Sequence, residues 1–191
     1  MDFFQRVKRI VFSPREEWPV IESEDLSLSD LYGRYALILI GASSLAKALG
    51  LFLFGFPMGH MGVNLPGPLL VGQALFEVLV QTANLLLASL VVHYLAPHFG
   101  GESDFLAANK LVVFSSTPGW LGGLLGIFPP LRIFEWLFGL YGLYLFYLGA
   151  PVILKISPEK KGLFLAICLV VLLALFFVIG LLLMPFHPTH F

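Results

Sequence analysis

The sequence predicts an all-α integral membrane protein with five transmembrane helices, and three observations carry that reading. Hydrophobic residues make up 58% of the chain and charged residues only 12%, with a mean hydropathy of +0.90. A soluble domain needs far more polar surface than that, so a bilayer must solvate much of the chain. After a charged opening that ends near Leu31, the chain divides into long apolar runs, each close to the roughly 20 residues that cross a hydrocarbon core. Finally, Gly and Pro cluster between the runs, where turns need them. Runs of this length are too long for barrel strands, and an open sheet edge cannot exist in lipid, so the spans are helices.

The first run extends from Arg34 to Phe56 and is closed by Pro57, Gly59 and Gly62. Asn64-Leu65-Pro66-Gly67-Pro68 makes a second stop, and Leu69 opens a run that reaches Ala96. Pro97 to Asp104 is a polar turn. The third run covers Phe105 to Phe128 and stops at Pro129-Pro130. The fourth goes from Leu131 to Leu154, and Ser157-Pro158-Glu159-Lys160-Lys161-Gly162 separates it from the fifth, Leu163 to Met184, which carries no charge. The chain therefore reads as an amphipathic segment, 1–31, followed by one five-helix membrane domain, 32–191.

Lysine and arginine asymmetry sets the orientation. Arg6, Lys8, Arg9, Arg15 and Arg34 lie at or before the foot of the first run, and Lys155, Lys160 and Lys161 lie between the fourth and fifth. Lys110 follows the link between the second and third, and Arg132 alone falls on the other side. The positive-inside rule then places the N-terminus in the cytoplasm and the C-terminus outside. With no apolar core before Tyr32, a cleaved signal peptide is not expected, and the first span doubles as the insertion signal. The single cysteine, Cys168, forms no intramolecular disulfide and reads as a packing residue of the fifth run. A net charge of −1 gives no bulk attraction to nucleic acid.

Before the spans, Phe3, Phe4, Val7, Ile10 and Val11 recur at helical spacing, with Gln5, Arg6, Lys8 and Arg9 between them. This is a short basic amphipathic helix. It suits either an anionic leaflet, with Phe3, Phe4, Arg6, Lys8, Arg9 and Trp18 at the membrane surface, or a docked position on the protein's own loops. Ser13-Pro14-Arg15-Glu16 reads as a second helix start, with Ser13 as N-cap, Pro14 at the first position and Glu16 completing a capping box. A further cap signal, Ser27 with Asp30, launches the first span.

Ser13-Pro14-Arg15-Glu16-Glu17-Trp18-Pro19-Val20-Ile21 and Asp30-Leu31-Tyr32-Gly33 resemble the opening of a prokaryotic Yip (Rab/Ypt-interacting protein) domain protein. Phe114-Ser115-Ser116-Thr117-Pro118-Gly119-Trp120-Leu121-Gly122-Gly123 and Leu143-Tyr144-Leu145-Phe146-Tyr147-Leu148-Gly149-Ala150-Pro151 resemble its third and fourth spans. The resemblance implies five helices with a cytoplasmic N-terminus, in line with the count and orientation above, in a prokaryotic cytoplasmic (inner) membrane. Eukaryotic relatives are trafficking factors that bind small GTPases. Carrying that partner over would be analogy at the level of the fold.

A charge at mid-bilayer costs roughly 2.5–3.5 kcal/mol on insertion scales, so each needs a reason. Lys47 and Glu77 fall at matched depth on antiparallel helices, which predicts an ion pair that either locks the two helices or serves as a proton or ion site. Gln73, Glu77, Gln81 and Asn84 follow i, i+4, i+8, i+11 and are expected to face the bundle, as interhelical hydrogen bonding or a cavity lining. Ser115, Ser116, Thr117 and Pro118 sit near the middle of the third run. Pro118 predicts a kink or an opening there, with the hydroxyls satisfying freed carbonyls. Gly119, Gly122, Gly123 and Gly126 read as close helix contacts, and Arg132 with Glu135 as an interfacial pair.

His60, His93, His98, His187 and His190 show no metal-ligand spacing. No phosphate loop or nucleophile elbow is present, and Ser115 and Ser116 have no nearby base. No cofactor and no metal are expected. The reading is a non-enzymatic polytopic membrane protein acting in membrane organisation or as a partner-binding scaffold. Its partners are the bilayer and another membrane or cytoplasmic protein, and a homo-oligomer is compatible with the sequence. The alternative is a small transporter or channel using the Lys47/Glu77 locus and the Pro118 break. A cavity reaching Glu77 favours transport, and a dry, paired interior favours the scaffold.

Overall fold

A computed structural model of the chain describes residues 2–58, 61–63 and 66–183. The C-terminal tail after Leu183, together with residues 59–60 and 64–65 of the link after the first run, lies outside them. Two short helices, α1 (Phe3–Phe12) and α2 (Pro14–Ser23), come first. A one-turn helix α3 (Leu28–Leu31) then passes through a wide π turn (Tyr32–Ala36) into α4 (Leu37–Phe54) without a break. After α4 the chain makes a small antiparallel hairpin, β1 (Phe56–Met58) with β2 (Met61–Val63), in a link that the sequence reading left as turns. Helix α5 (Gly67–Leu95) returns, followed by α6 (Phe105–Gly123), α7 (Glu135–Ile153) and α8 (Lys161–Leu183).

Local chemistry explains most of the boundaries. Ser27 Oγ accepts from the Asp30 amide at 3.1 Å, so the expected cap forms. Asp104 Oδ1 caps α6 through the Leu106 amide at 2.8 Å. Gly55 ends α4 at φ +72°, a conformation that glycine adopts without penalty. The capping box proposed at Ser13 does not form. The Ser13 side chain makes no cap, and its backbone carbonyl receives the Glu16 and Glu17 amides instead. Glu16 stays exposed, and Glu17 turns inward toward Arg6.

Four helical segments, Leu28–Phe54, Gly67–Phe99, Pro129–Ile153 and the Lys161–Ile179 portion of α8, are long and apolar enough to cross a membrane. The 19-residue α6 is of spanning length, yet it falls below their apolarity because it is the hub. It packs on α4, α5 and α7 and also meets α1 and α3. Its Asn109, Lys110, Ser115 and Thr117 are buried. A helix enclosed by protein can carry polar side chains that lipid would leave unpaired.

The third run does not stay α-helical to Phe128. After Gly123 it tightens into 3₁₀ turns, Leu124–Ile127 and Pro129–Phe134, and the first of these lies against α4. Helix α6 continues unbroken through Pro118, so the expected opening is absent. Ser116 Oγ donates to the Val112 carbonyl at 2.8 Å, taking up one acceptor in the turn before the proline.

The N-terminal helices contribute to the bundle's core. Ile10, Trp18 and Ile21 belong to the same buried cluster as Leu111, Phe114, Leu145 and Ala150. Trp18, read from sequence as a surface anchor, is 1% exposed and fills the space that Gly149 leaves open. Arg6, read as a membrane-surface cation, is 4% exposed and ion-paired to Glu17 and Glu24. Phe3 is half-buried, with its ring 5.6 Å from Tyr35. Of the proposed surface residues, Phe4, Lys8 and Arg9 remain outward.

Candidate functional site

Two polar constellations stand out, one at each end of the bundle. At the hairpin end, Lys47 Nζ donates to Glu77 Oε1 at 2.9 Å. The pair does not stand alone. Glu135 Oε2, on the first residue of α7, lies 3.4 Å from the same ammonium, and Arg132 Nε is 3.9 Å from Glu135 Oε1. Gln81 Nε2 donates to Glu77 Oε1 at 3.0 Å, and Trp120 Nε1 donates to Gln81 Oε1 at 3.0 Å. One network thus ties α4, α5, α6 and α7 together.

The sequence missed Glu135 as a partner of Lys47 because Arg132, three residues earlier, seemed to account for it. The 3₁₀ turn Leu124–Ile127 explains the meeting. Glycine at 126 lets the Lys47 stem approach: a Cβ there would lie 2.5 Å from Lys47 Cγ. The cluster therefore sits where α6 has ended and α7 begins. It is nearer one end of the bundle than span lengths alone suggested.

The stripe on α5 is only partly inward. Glu77 and Gln81 are half-buried, whereas Gln73 and Asn84 are exposed. The inward face follows Leu70, Ala74, Val78, Gln81, Leu85, Ser89 and Val92. At about 100° per residue, Gln73 and Asn84 lie roughly 90–110° from the centre of that face. The i+4 spacing was real, but its axis was drawn one residue off.

Below the ionic cluster lies a cavity of about 640 Å³, walled by α4, α5, α6, α7 and α8. Ser43, Lys47, Glu77, Gln81, Trp120 and Glu135 line its hairpin end. Val92, Val112, Phe146, Leu165, Cys168 and Leu172 line the rest. Ser115 and Ser116 reach this wall, but Thr117 and Pro118 do not. Thr117 Oγ1 is 2.9 Å from the Tyr35 hydroxyl on the opposite side of α6, and Pro118 borders a separate apolar recess with Val11 and Tyr141. The polar tetrapeptide is thus split between two faces. Cys168 belongs to the cavity wall while remaining a buried, unpaired thiol.

Of the four glycines read as close contacts, three fit that role. Cβ atoms at Gly122 and Gly126 would crowd Phe138 and Lys47, and one at Gly123 would collide with Ser43. Gly119 does not, because a Cβ there would meet nothing within 4 Å.

The other constellation clamps α1 and α2 to the bundle. Lys110 Nζ donates to the carbonyls of Ile21 at 3.1 Å and Glu24 at 2.6 Å, satisfying acceptors at the end of α2. The Tyr141 hydroxyl donates to the Val11 carbonyl at 2.6 Å, near the end of α1. Lys155 Nζ bridges to Glu22 Oε1 at 2.6 Å, and this bond and charge hold the Glu22 carboxyl below the usual range. The π turn brings Tyr32 and Tyr35 onto α6, where the Tyr32 hydroxyl donates to Asn109 Oδ1 at 2.6 Å.

Among the described residues, no group of three or more His, Cys, Asp or Glu side chains is placed to hold a metal ion. Apolar spans around a polar hub, with amphipathic helices folded onto one end, define a polytopic helical integral membrane protein. The chain matches the Yip1 domain over residues 8–181, nearly its whole length, and belongs to that family. No match was found among curated proteins or solved structures.

Proposed function

We propose that this Yip1-domain chain is a non-enzymatic membrane scaffold whose α1–α2 end is a preformed partner-binding face. In this reading all five long helices span the bilayer, α6 included. The α1–α2 end is cytoplasmic, as the basic residues gathered there support, and the membrane is a prokaryotic inner membrane. The carrying observation is the clamp. With Arg6, Trp18 and Lys110 holding α1 and α2 in place, Phe4 and Phe12 are left 80% and 78% exposed beside Lys8, Arg9 and Arg15. A rigid patch of aromatic and basic side chains offers contact area without the ordering cost that a free tail incurs on binding.

Photo-crosslinking residues placed at Phe4, Phe12 and Arg15 in native membranes test this. Discrete protein adducts at these positions, lost when Lys110→Met loosens the clamp, are the expected result. Lipid adducts alone would replace a protein partner with the leaflet.

The cavity favours a second reading, transport of a small solute past Lys47 and Glu77. Proteoliposome flux that depends on Glu77 would support it over the scaffold.

A further inference from the structure

We propose that the cavity is a binding site for a single-chain membrane amphiphile with a hydrogen-bond-donating, non-anionic head. The site is independent of the partner face at the opposite end. Its polarity runs along the helix axes. Charged and amide side chains crowd the hairpin end, and aliphatic and aromatic side chains line the remainder. Glu135 and Phe146, at the two ends of the α7 wall, are separated by about 17 Å at 1.5 Å rise per residue. A volume of about 640 Å³ falls within the range of ligand-binding cavities.

The head is specified by unused acceptors. Two carboxylates, Glu77 and Glu135, line the site; Lys47 is shared between them, and Arg132 Nε lies 3.9 Å from Glu135 Oε1. Glu135 Oε1 is buried and accepts no hydrogen bond. A hydroxyl or ammonium head supplies the missing donor, and an ionised phosphate or carboxylate head, which brings only acceptors, does not. Further down the wall, Ser115 Oγ is also buried without a partner, and Ser115 is 6% exposed. It offers a hydroxyl to an ester or ether oxygen below the head.

Two glycines support the site. Glycine inside a helix lowers stability relative to alanine and is usually explained by a close neighbour. At Gly119 on α6 and Gly139 on α7, both on the cavity wall, a Cβ would meet nothing within 4 Å. They leave two positions of the cavity wall without a side chain.

Entry is lateral. Among the described residues of α8, Phe164 and Cys168 near its start are buried, whereas Leu173, Phe176, Phe177, Val178 and Ile179 are exposed. A chain entering from the membrane would pass beside this thinly packed half of α8.

The test uses the full chain in detergent, with monooleoylglycerol and oleate as probes of equal chain length and different head. Native mass spectrometry and the thermal midpoint report binding. Saturable one-to-one binding of monooleoylglycerol with a raised midpoint is expected, with oleate at least tenfold weaker. Gly119→Leu and Gly139→Leu, which add a side chain to the wall at positions where a Cβ meets no neighbour, are expected to abolish binding while the unliganded midpoint is kept or raised. Leu53→Trp, at an exposed position of α4 outside the cavity lining, leaves binding unchanged. Equal binding by both glycine variants and the parent would overturn the site, and tighter binding of oleate would overturn the head assignment. Absence of monooleoylglycerol binding to the parent would also overturn the proposal.

Discussion

The Lys110 ammonium lies 3.1 Å from the Ile21 carbonyl oxygen, so the hub helix reaches across to close the end of α2. Lys110 is buried and meets backbone carbonyls rather than a carboxylate. Its favourable field is that of a helix C-terminus, worth about 1–2 kcal/mol when partly buried. Lys110→Met should lose about that much stability and speed amide exchange across Pro14 to Ser23. Lys110→Arg should keep part of the protection.

Among the described residues, Arg6 is the cation paired with the buried Glu17 carboxylate. Arg6→Met should cost about 3–5 kcal/mol, because the uncompensated charge remains inside. Pairing it with Glu17→Leu should restore most of the loss. Equal destabilisation by the single and double variants, read by chemical unfolding, would argue against a charge origin.

Lys47→Ala leaves two carboxylates facing each other, and its cost should lie near the lower end of about 3–5 kcal/mol. The double variant with Glu77→Ala should be more stable than Lys47→Ala alone, since Glu135 keeps Arg132. A double-mutant cycle on unfolding free energies measures the coupling.

Gly149→Ala should destabilise by about 1–3 kcal/mol through overpacking. The new Cβ would lie 2.6 Å from Trp18 Cε2 and 2.7 Å from Leu111 Cδ1, and both side chains are buried. Trp18 fluorescence should shift with it, in a background where Trp120 and Trp136 are Phe.

The Glu22–Lys155 bridge gives a pH signature. Glu22 is held low first by the Lys155 hydrogen bond and then by its charge. A carboxyl depressed in the folded state stabilises above its unfolded pKa and loses that contribution as pH falls through the folded value. Exchange at the end of α2 should accelerate on acidification, and Glu22→Gln should flatten the profile.

The spanning helices were legible because apolar length and breakers are local signals. Lys47 and Glu77 were legible because depth can be counted along antiparallel helices. Glu135 was not, since its approach depends on a 3₁₀ turn that hydropathy does not mark. Arg6 and Trp18 read as surface residues because a basic amphipathic helix looks the same whether its apolar face meets lipid or protein. Their burial rests on Gly149, Phe114 and Glu17, all distant or on another element. The cavity left its trace in Gly119, whose sequence context matched that of the three contact glycines around it.

The hub position of α6 bears on how the protein is made. A segment carrying Asn109, Lys110, Ser115, Ser116, Thr117 and Pro118 has little drive to partition into lipid by itself, unlike the helices on either side. It becomes acceptable to a bilayer once α4 and α5 shield one side and α7 the other. On the proposed five-span topology, nascent chains truncated just after Gly123 should therefore stall in an aqueous channel or slip through it, and synthesis of α7 should be the step that commits the chain.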